Sequence, residues 1–367
     1  VSLLSLSILN LRNISSAQLN CSPYFNLFFG DNAAGKTSLL EAIYYLGSAK
    51  SFRVNNQDRL IRHNENEMTV FSHLFLNNKQ IKIGLQRSRE GALSIRINEE
   101  TIRSASEISR YLPVQFIASD SHRILSDGPK CRRQFLDWGL FHTNPLFYNH
   151  WKNFLKVLSH RNAALKARAP YDELLIWNAQ FAESGEQFDQ QRRAYLSDFI
   201  PVFNEIIAVL LGDVSVSLVY SSGWDANSSL ETCLNQNVSR ETFVGHSLFG
   251  PQRADLIVMS NNMPAEEVLS QGQQKLVSYA LRLAQGVHFK ARTGKTPVYL
   301  IDDLPSELDS HKRLLVGKIL ADLSAQVFIT GIEPADLDEM LAGNPENLMF
   351  HVKQGEVVNV SRETFCY

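Results

Sequence analysis

The sequence predicts an α/β fold built on a nucleotide-binding loop and interrupted by a second, mostly helical domain. Three observations carry that prediction. A glycine loop, Gly30 to Thr37, stands between an apolar strand and a helix. A continuous apolar strand, Val298-Tyr299-Leu300-Ile301, ends in Asp302-Asp303. Between them lies a stretch of roughly 90 residues whose apolar positions repeat at helical spacing. The expected division is residues 1–120 for the first part of the nucleotide-binding domain, 121–211 for the helical arm and 212–367 for the second part.

In chain order, Leu3 to Leu11 alternates weakly and reads as a strand, closed by a turn at Arg12-Asn13. Tyr24-Phe25-Asn26-Leu27-Phe28-Phe29 is a buried strand by its continuous apolar run. Ser38 to Leu46 has no Gly or Pro and reads as a helix. Met68–Leu76, Gln80–Gln86 and Leu93–Ile97 alternate as an antiparallel meander with turns at Asn77-Asn78 and Arg89-Glu90-Gly91. Val114 to Ile117 is a further buried strand. The period changes near Ser121. Pro129–Trp138, Leu146–Lys166 and Tyr171–Leu211 then read as helices, the last with Gly185 and Pro201 as possible breaks. No a/d heptad persists, so a compact bundle or short arm is expected rather than a long coiled coil. Val214–Tyr220 and Leu256–Met259 return to strand, Val268–Lys290 to helix, and Gln326–Ile329 to strand ending at Thr330-Gly331. A hairpin around Gln354-Gly355 closes the chain.

Charged residues make up 20% and apolar residues 44% of the 367, a globular composition with room for two domains. Cys21, Cys131, Cys233 and Cys366 stand far apart with no C-x-x-C pair. That spacing argues against zinc and a disulfide framework and suits a reducing cytosol. No run approaches the ~18 apolar residues of a membrane span, and the start carries no signal-peptide pattern. A cytoplasmic protein without membrane contact is expected. The net charge of -2 hides an asymmetry: residues 1–211 carry an excess of five cations, residues 212–367 an excess of seven anions. Either ordinary solvated charge or a polyanion-binding face accounts for that excess, and for Arg132, Arg133, Arg161, Lys166 and Arg168 within the helical stretch.

The motifs supply the chemistry. Gly30-Asp31-Asn32-Ala33-Ala34-Gly35-Lys36-Thr37 fits G-x-x-x-x-G-K-[ST], in the strand–loop–helix setting that such a loop needs. Backbone N–H groups of the loop and of the helix start at Ser38 face phosphates. Lys36 brings a point charge to the β/γ oxygens, and the Thr37 hydroxyl can coordinate Mg²⁺. Such a loop needs an acid on a neighbouring strand end, the place of Asp302. Asp303 beside it can orient or deprotonate an attacking water. Ser270-Gln271-Gly272-Gln273 opens a helix with a hydroxyl and a glycine-flanked backbone, either a second phosphate receptor or a plain N-cap. One γ-phosphate does not easily reach both sites within one subunit, so two subunits sandwiching ATP is the natural functional reading.

Together, the glycine loop, the S-x-G-Q helix start, the Asp-Asp strand end and Ser306-Glu307-Leu308-Asp309 resemble the ATP-binding-cassette superfamily. Gly30 with Asn32 resembles its SMC/RecF branch. Lys50-Ser51-Phe52-Arg53, Arg132-Arg133-Gln134-Phe135-Leu136-Asp137, Gly250-Pro251-Gln252-Arg253 and Leu269-Ser270-Gln271-Gly272-Gln273-Gln274-Lys275 together resemble the RecF family of bacterial recombination mediators. The resemblance runs from Leu3 to about Thr330. It implies an ABC-type P-loop ATPase domain with an inserted helical domain, using ATP and Mg²⁺. It implies an ATP-dependent homodimer that grips double-stranded DNA and ss-ds junctions, hydrolyses ATP slowly with stimulation by DNA, and works with RecO and RecR to load RecA in replication, repair and the SOS response. Residue by residue, it gives nucleotide contacts to Gly30, Asp31, Asn32, Ala33, Ala34, Gly35, Lys36, Thr37 and Ser38. Thr37 and Asp302 take the metal role, and Asp303 with Lys36 the catalytic one. Ser270, Gly272 and Gln273 take the contact in trans, and Asp309 the loop between protomers. Three departures stand out: Ala33 occupies a usual glycine position, Gln252 and Ala254 replace His and Asp, and Thr330 stands where transporters carry a switch His. A transporter ATPase subunit would place loop and signature far closer than Lys36 and Ser270. A nuclease-coupled defence ATPase would be expected to carry an acidic metal domain after the cassette, and none is expected after Thr330.

Overall fold

A computed structural model describes residues 1–360 except 103, 119–122, 338–339 and 341–343, so Cys366 and the expected boundary at 120/121 lie outside the described residues. The chain forms two compact units, Val1–Ser121 with Tyr279–Tyr367, and His122–Ser278. The second unit therefore continues past Leu211, through residues 212–278.

The first unit begins with β1 (Ser2–Leu11) and β2 (Ile14–Asn20), followed by β3 (Phe25–Phe29) and α1 (Lys36–Ser48). Next come β4 (Glu67–Leu76), β5 (Lys79–Ser88), β6 (Leu93–Ile97), β7 (Glu100–Ile102), α2 (Ala105–Tyr111) and β8 (Val114–Ile117). An antiparallel sheet runs β2-β1-β4-β5-β6-β7. Its period-2 pattern turns Met68, Val70 and Leu74 of β4 and Ile83 and Leu85 of β5 into the core that also holds Leu39, Leu40, Ile43 and Leu46 of α1. Asn77 and Asn78 both adopt left-handed φ (51° and 60°), the two-residue hairpin turn that asparagine tolerates well. The sequence reading passed over β2, β7 and α2, which are short or mostly polar.

The second unit contains α3 (Arg123–Ser126), α4 (Pro129–Thr143), α5 (Phe147–Ala167), α6 (Tyr171–Leu211), β9 (Ser217–Ser221), α7 (Leu230–Gln236) and α8 (Val238–Val244). β10 (Asp255–Ser260), β11 (Met263–Pro264), α9 (Ala265–Val268) and the start of α10 (Gln271–Thr293) complete it. Rings zip α5 to α6: Phe154 lies 5.4 Å from Phe181 and 5.2 Å from Phe188, centroid to centroid. α6 runs unbroken through Gly185 and Pro201. At Gly185 an added Cβ would stand 2.8 Å from Leu230 Cδ2, so the missing side chain is what lets the α7 leucine approach. α6 is long and apolar enough to cross a membrane by length and composition. It nevertheless buries Asn178, Asp189 and Arg192 against polar partners of its own unit, as a core helix does.

Of the basic residues, Arg132 and Arg161 are paired with carboxylates inside the unit, and Arg133 is half-buried. Arg132 clasps both oxygens of Asp255 at 2.7 and 2.9 Å. Arg133 donates to the Ala254 carbonyl. Arg161, fully buried, bonds Asn178, Ser247 and Glu241. Lys166 and Arg168 alone of the five are exposed. The two sequence motifs 132–137 and 250–255 thus hold each other, with Arg192 bridging Asp137 and the Pro251 carbonyl.

The first unit resumes with β12 (Val298–Ile301), α11 (Leu304–Glu307), α12 (Ser310–Asp322), β13 (Val327–Gly331), β14 (Leu348–Lys353) and β15 (Glu356–Val360). A second sheet runs β15-β14-β3-β13-β12-β8, parallel except at the β15 edge. β3, β12 and β13 are buried along their whole length, as continuous apolar runs require. The carboxyl ends of these parallel strands are where open α/β sheets place ligands.

Breaking the buried Arg161–Glu241 pair strands a carboxylate with no water. Arg161→Ala is expected to cost about 3–5 kcal/mol of stability, measured by urea denaturation. A loss under ~1 kcal/mol would show that the pair is solvated.

Candidate functional site

The carboxyl ends of β3 and β12 flank that of β13, and the predicted loop and aspartates meet there. β3 runs into Gly30, whose φ of 141° suits glycine and whose missing side chain admits the Val352 carbonyl of β14. Ala34 is buried, and its carbonyl accepts from Gly355 N at 2.8 Å and from Asn13 Nδ2 at 3.0 Å. Gly35 (φ 119°) packs on the Asn13 side chain, where an added Cβ would come within 2.9 Å of Nδ2. Ser38 Oγ donates to Asn13 Oδ1 at 3.2 Å. Two turns, at 12–13 and 354–355, therefore brace the loop from outside. Asn13 and Gly355 were visible in the sequence only as turn residues.

Lys36 Nζ donates to the Gly30 and Asp31 carbonyls at 2.5 and 3.0 Å, holding the ammonium inside the ring of the loop. Burial lowers the Lys36 pKa, while Asp303, Asp302 and Asp31 pull the other way. Asp31 and Asn32 are exposed at the rim. Ala33 adopts φ 62°, a left-handed backbone that a glycine adopts freely and an alanine does not.

Asp302 ties the start of α1 to two neighbouring strands. Thr37 Oγ1 donates across its two oxygens at 3.0 and 3.2 Å, and Thr330 Oγ1 donates to Oδ1 at 2.7 Å. Its own N–H donates to the Ile117 carbonyl of β8 at 2.9 Å. Burial raises its pKa; the Thr330 and Thr37 hydrogen bonds lower it, Asp303 raises it and Arg53 lowers it. Asp303 donates its N–H to Thr330 Oγ1 at 2.7 Å and turns into α11 at φ 55°. Thr330 lies in β13, which ends at Gly331 as the sequence reading had it, and Thr330 reaches both aspartates from there. A hydroxyl and a desolvated carboxylate side by side are hard oxygen ligands and fit Mg²⁺. Among the described residues no group of three or more His, Cys, Asp or Glu forms a separate metal cage.

The remaining predicted residues belong to other elements. The long helix starts at Gln271, not at Val268, because Leu269 is extended (ψ 140°) and closes α9. Ser270 Oγ accepts from Gln273 N at 3.3 Å while Gln273 Oε1 accepts from Ser270 N at 2.9 Å, a reciprocal capping box. Ser270 is exposed and Gln273 half-buried, and a Cβ on Gly272 would meet nothing within 4 Å. Ser270, Gly272 and Gln273 lie in the second unit, while the loop and the aspartates lie in the first. Asp309 caps α12, its Oδ1 accepting from Lys312 N at 2.9 Å. A cavity of about 430 Å³ opens beside the loop brace, lined by Arg12, Asn56, Asp58, Arg59, His63 and Arg89.

A family described as the RecF/RecN/SMC N terminal domain matches residues 2–356. A "DNA replication and repair protein RecF" from Shewanella denitrificans (strain OS217 / ATCC BAA-1090 / DSM 15013) is 41% identical over 357 residues, 97% of this chain and 99% of that one. Its namesake from Shewanella baltica (strain OS185) is 42% identical over the same shares. Among solved structures, the recombination mediator protein RecF-ATP in the RecFOR pathway superposes with a TM-score of 0.86 at 25% identity, over 98% of this chain and 97% of that one. An SMC head bound to the C-winged helix domain of ScpA gives 0.62 at 16% identity, over 99% of each chain, a likeness of fold alone.

Relieving the backbone at Ala33 gives a test of the loop geometry. Ala33→Gly is expected to stabilise the chain by about 1 kcal/mol, read as a higher melting temperature. A lower melting temperature would mean that position 33 does not hold a left-handed backbone.

Proposed function

The chain belongs to the RecF family of RecF/RecN/SMC ATPases, and from that premise we propose that it binds and hydrolyses Mg-ATP and uses the nucleotide to close a homodimer on double-stranded DNA. The observation that carries the reading is Asp302, shared by the Thr37 and Thr330 hydroxyls beside the loop lysine. In this reading the phosphates replace the Gly30 and Asp31 carbonyls as partners of Lys36. Thr37 and Asp302 hold Mg²⁺, which neutralises phosphate charge. Asp303, next along the chain, orients and deprotonates the attacking water. The loop residues Gly30 to Thr37 and Ser38 face the phosphates, and the cavity beside Arg12 takes the nucleoside end.

Ser270, Gly272 and Gln273 receive the partner's γ-phosphate in this reading. Their support is a helix N-terminus whose caps are only each other, and a glycine with open space in front of it. Asp309 lies in the loop between protomers. The solved relative described as RecF-ATP in the RecFOR pathway makes RecO and RecR the partners to expect here. Loading of RecA at gaps and ss-ds junctions is the output. DNA binding is electrostatic and indifferent to sequence, with turnover slow and stimulated by DNA.

The dimer test compares three variants by light scattering and ATP turnover. Lys36→Ala is expected to lose roughly 1.5–3 kcal/mol of ATP affinity. Asp303→Asn is expected to bind ATP, stay dimeric and not turn over. Ser270→Arg is expected to bind ATP, remain monomeric with ATP and hydrolyse poorly; a wild-type dimer from Ser270→Arg would refute the trans contact.

A pH series tests the metal role. Protons and Mg²⁺ compete for Asp302, and burial raises its pKa, so Mg-dependent ATP affinity is expected to fall on acidification sooner than an ordinary carboxylate with a pKa of about 3.9 would dictate. Calorimetry with and without Mg²⁺ reads it. An affinity flat down to about pH 4 would remove Asp302 from the metal.

A further inference from the structure

Glu41 lies on α1, has no solvent exposure and carries no role in the reading above. A buried carboxylate needs a counter-charge, and Arg12 supplies it through two parallel bonds of 2.8 Å. Neutralisation ends there, yet Glu41 Oε1 also accepts from the Ser51 hydroxyl. Ser51 sits in the segment after α1, and its Oγ in turn accepts the N–H groups of Arg53 at 2.9 Å and Val54 at 3.0 Å. Between Ser51 and Arg53, Phe52 stacks on Phe116 of β8 with centroids 3.8 Å apart, and Tyr44 of α1 sets its edge against both rings. The residue after Phe116, Ile117, accepts the Asp302 N–H. Arg53 therefore hangs between two anchors, the Glu41–Ser51 bond and the Phe52–Phe116 stack, at the carboxyl end of β8, where Ile117 pairs with the strand leading into Asp302.

We propose that Glu41 is a positioning residue: through Ser51 it ties the loop bearing Arg53 to the P-loop helix and sets where Arg53 is held at the carboxyl end of β8, next to the end of β12 that leads into Asp302. The catalytic half of this inference rests on the ATP-hydrolysis reading; the structural half, the tether, does not.

Ser51→Ala is the deciding variant, because it removes the tether and leaves the buried Arg12–Glu41 pair intact. Glu41→Gln disturbs that pair and can unfold the chain. Two readouts separate the halves. Limited trypsin digestion followed by mass spectrometry measures cleavage of the exposed Arg53–Val54 bond, expected to run about tenfold faster in Ser51→Ala with the melting temperature held, since losing hydrogen bonds of this kind releases a loop by about that factor. Steady-state kinetics measures turnover, expected to fall about tenfold in kcat with KM for ATP within about twofold. Adding Ser51→Ala to Arg53→Ala is expected to cost nothing further, because the tether has nothing left to position. Unchanged cleavage overturns the tether. Faster cleavage with wild-type kcat, or the same kcat loss in the Arg53→Ala background, overturns the positioning role. A wild-type chain that binds ATP without turnover would instead remove the hydrolysis reading and with it the catalytic half, and the cleavage result would then decide the tether alone.

Discussion

The hydrogen bonds converging on Asp302 are the constraint on which the first unit depends. A carboxylate at the end of a fully buried strand is stable there only if donors meet it. They arrive from Thr37 at the start of α1 and Thr330 on β13, while the Asp302 N–H reaches across to the β8 carbonyl at Ile117. Strand order fixes which donors these can be: β13 lies between β3 and β12, so its carboxyl end passes between the loop and the aspartates. The threonine there closes the gap. A shift of one residue in the β12–β13 register would turn Thr330 to the other face and leave Asp302 short of its strongest partner.

The parts of this arrangement that a sequence displays are those with local signatures. Gly30 to Thr37, the apolar run 298–301 and the alternating strands 67–97 all announce themselves through spacing or period. So did α4, α5 and β14–β15. Ser270 was legible as a helix start, although Leu269 had to break the preceding turn before the cap could form. The rest depends on contacts across long sequence separations. Asn13 and Gly355 brace Ala34 from positions 21 and 321 residues away. Glu41 reads as one more polar residue on a helix until Arg12 and Ser51 close on it. Arg161 reads as a surface cation, and only the fold brings Glu241, Asn178 and Ser247 around it.

The second unit applies the same rule at larger scale. Three of its arginines are held in internal bonds: Arg132 by Asp255, Arg133 by Ala254, Arg192 by Asp137 and Pro251. These join α4 and α6 to the 250–255 segment through directional contacts, where an apolar interface would tolerate sliding. The departures Gln252 and Ala254 fit this use. Ala254 contributes a carbonyl, which any residue can supply, and Gln252 Nε2 donates to the nearby Phe249 carbonyl. A substitution that spares the backbone path leaves the joint intact.

The braces at Ala34 bear on the order in which the protein can be completed. The loop begins at Gly30, but one of its two supports belongs to the β14–β15 turn, and Gly30 itself packs under the Val352 carbonyl. On the ribosome, the first 340 or so residues emerge before either support from β14 exists. The nucleotide pocket is therefore among the last features to set during synthesis, and a nascent chain passes most of its length before it can engage its ligand. Ligand capture thus reports that the whole first unit has closed around its earliest strands.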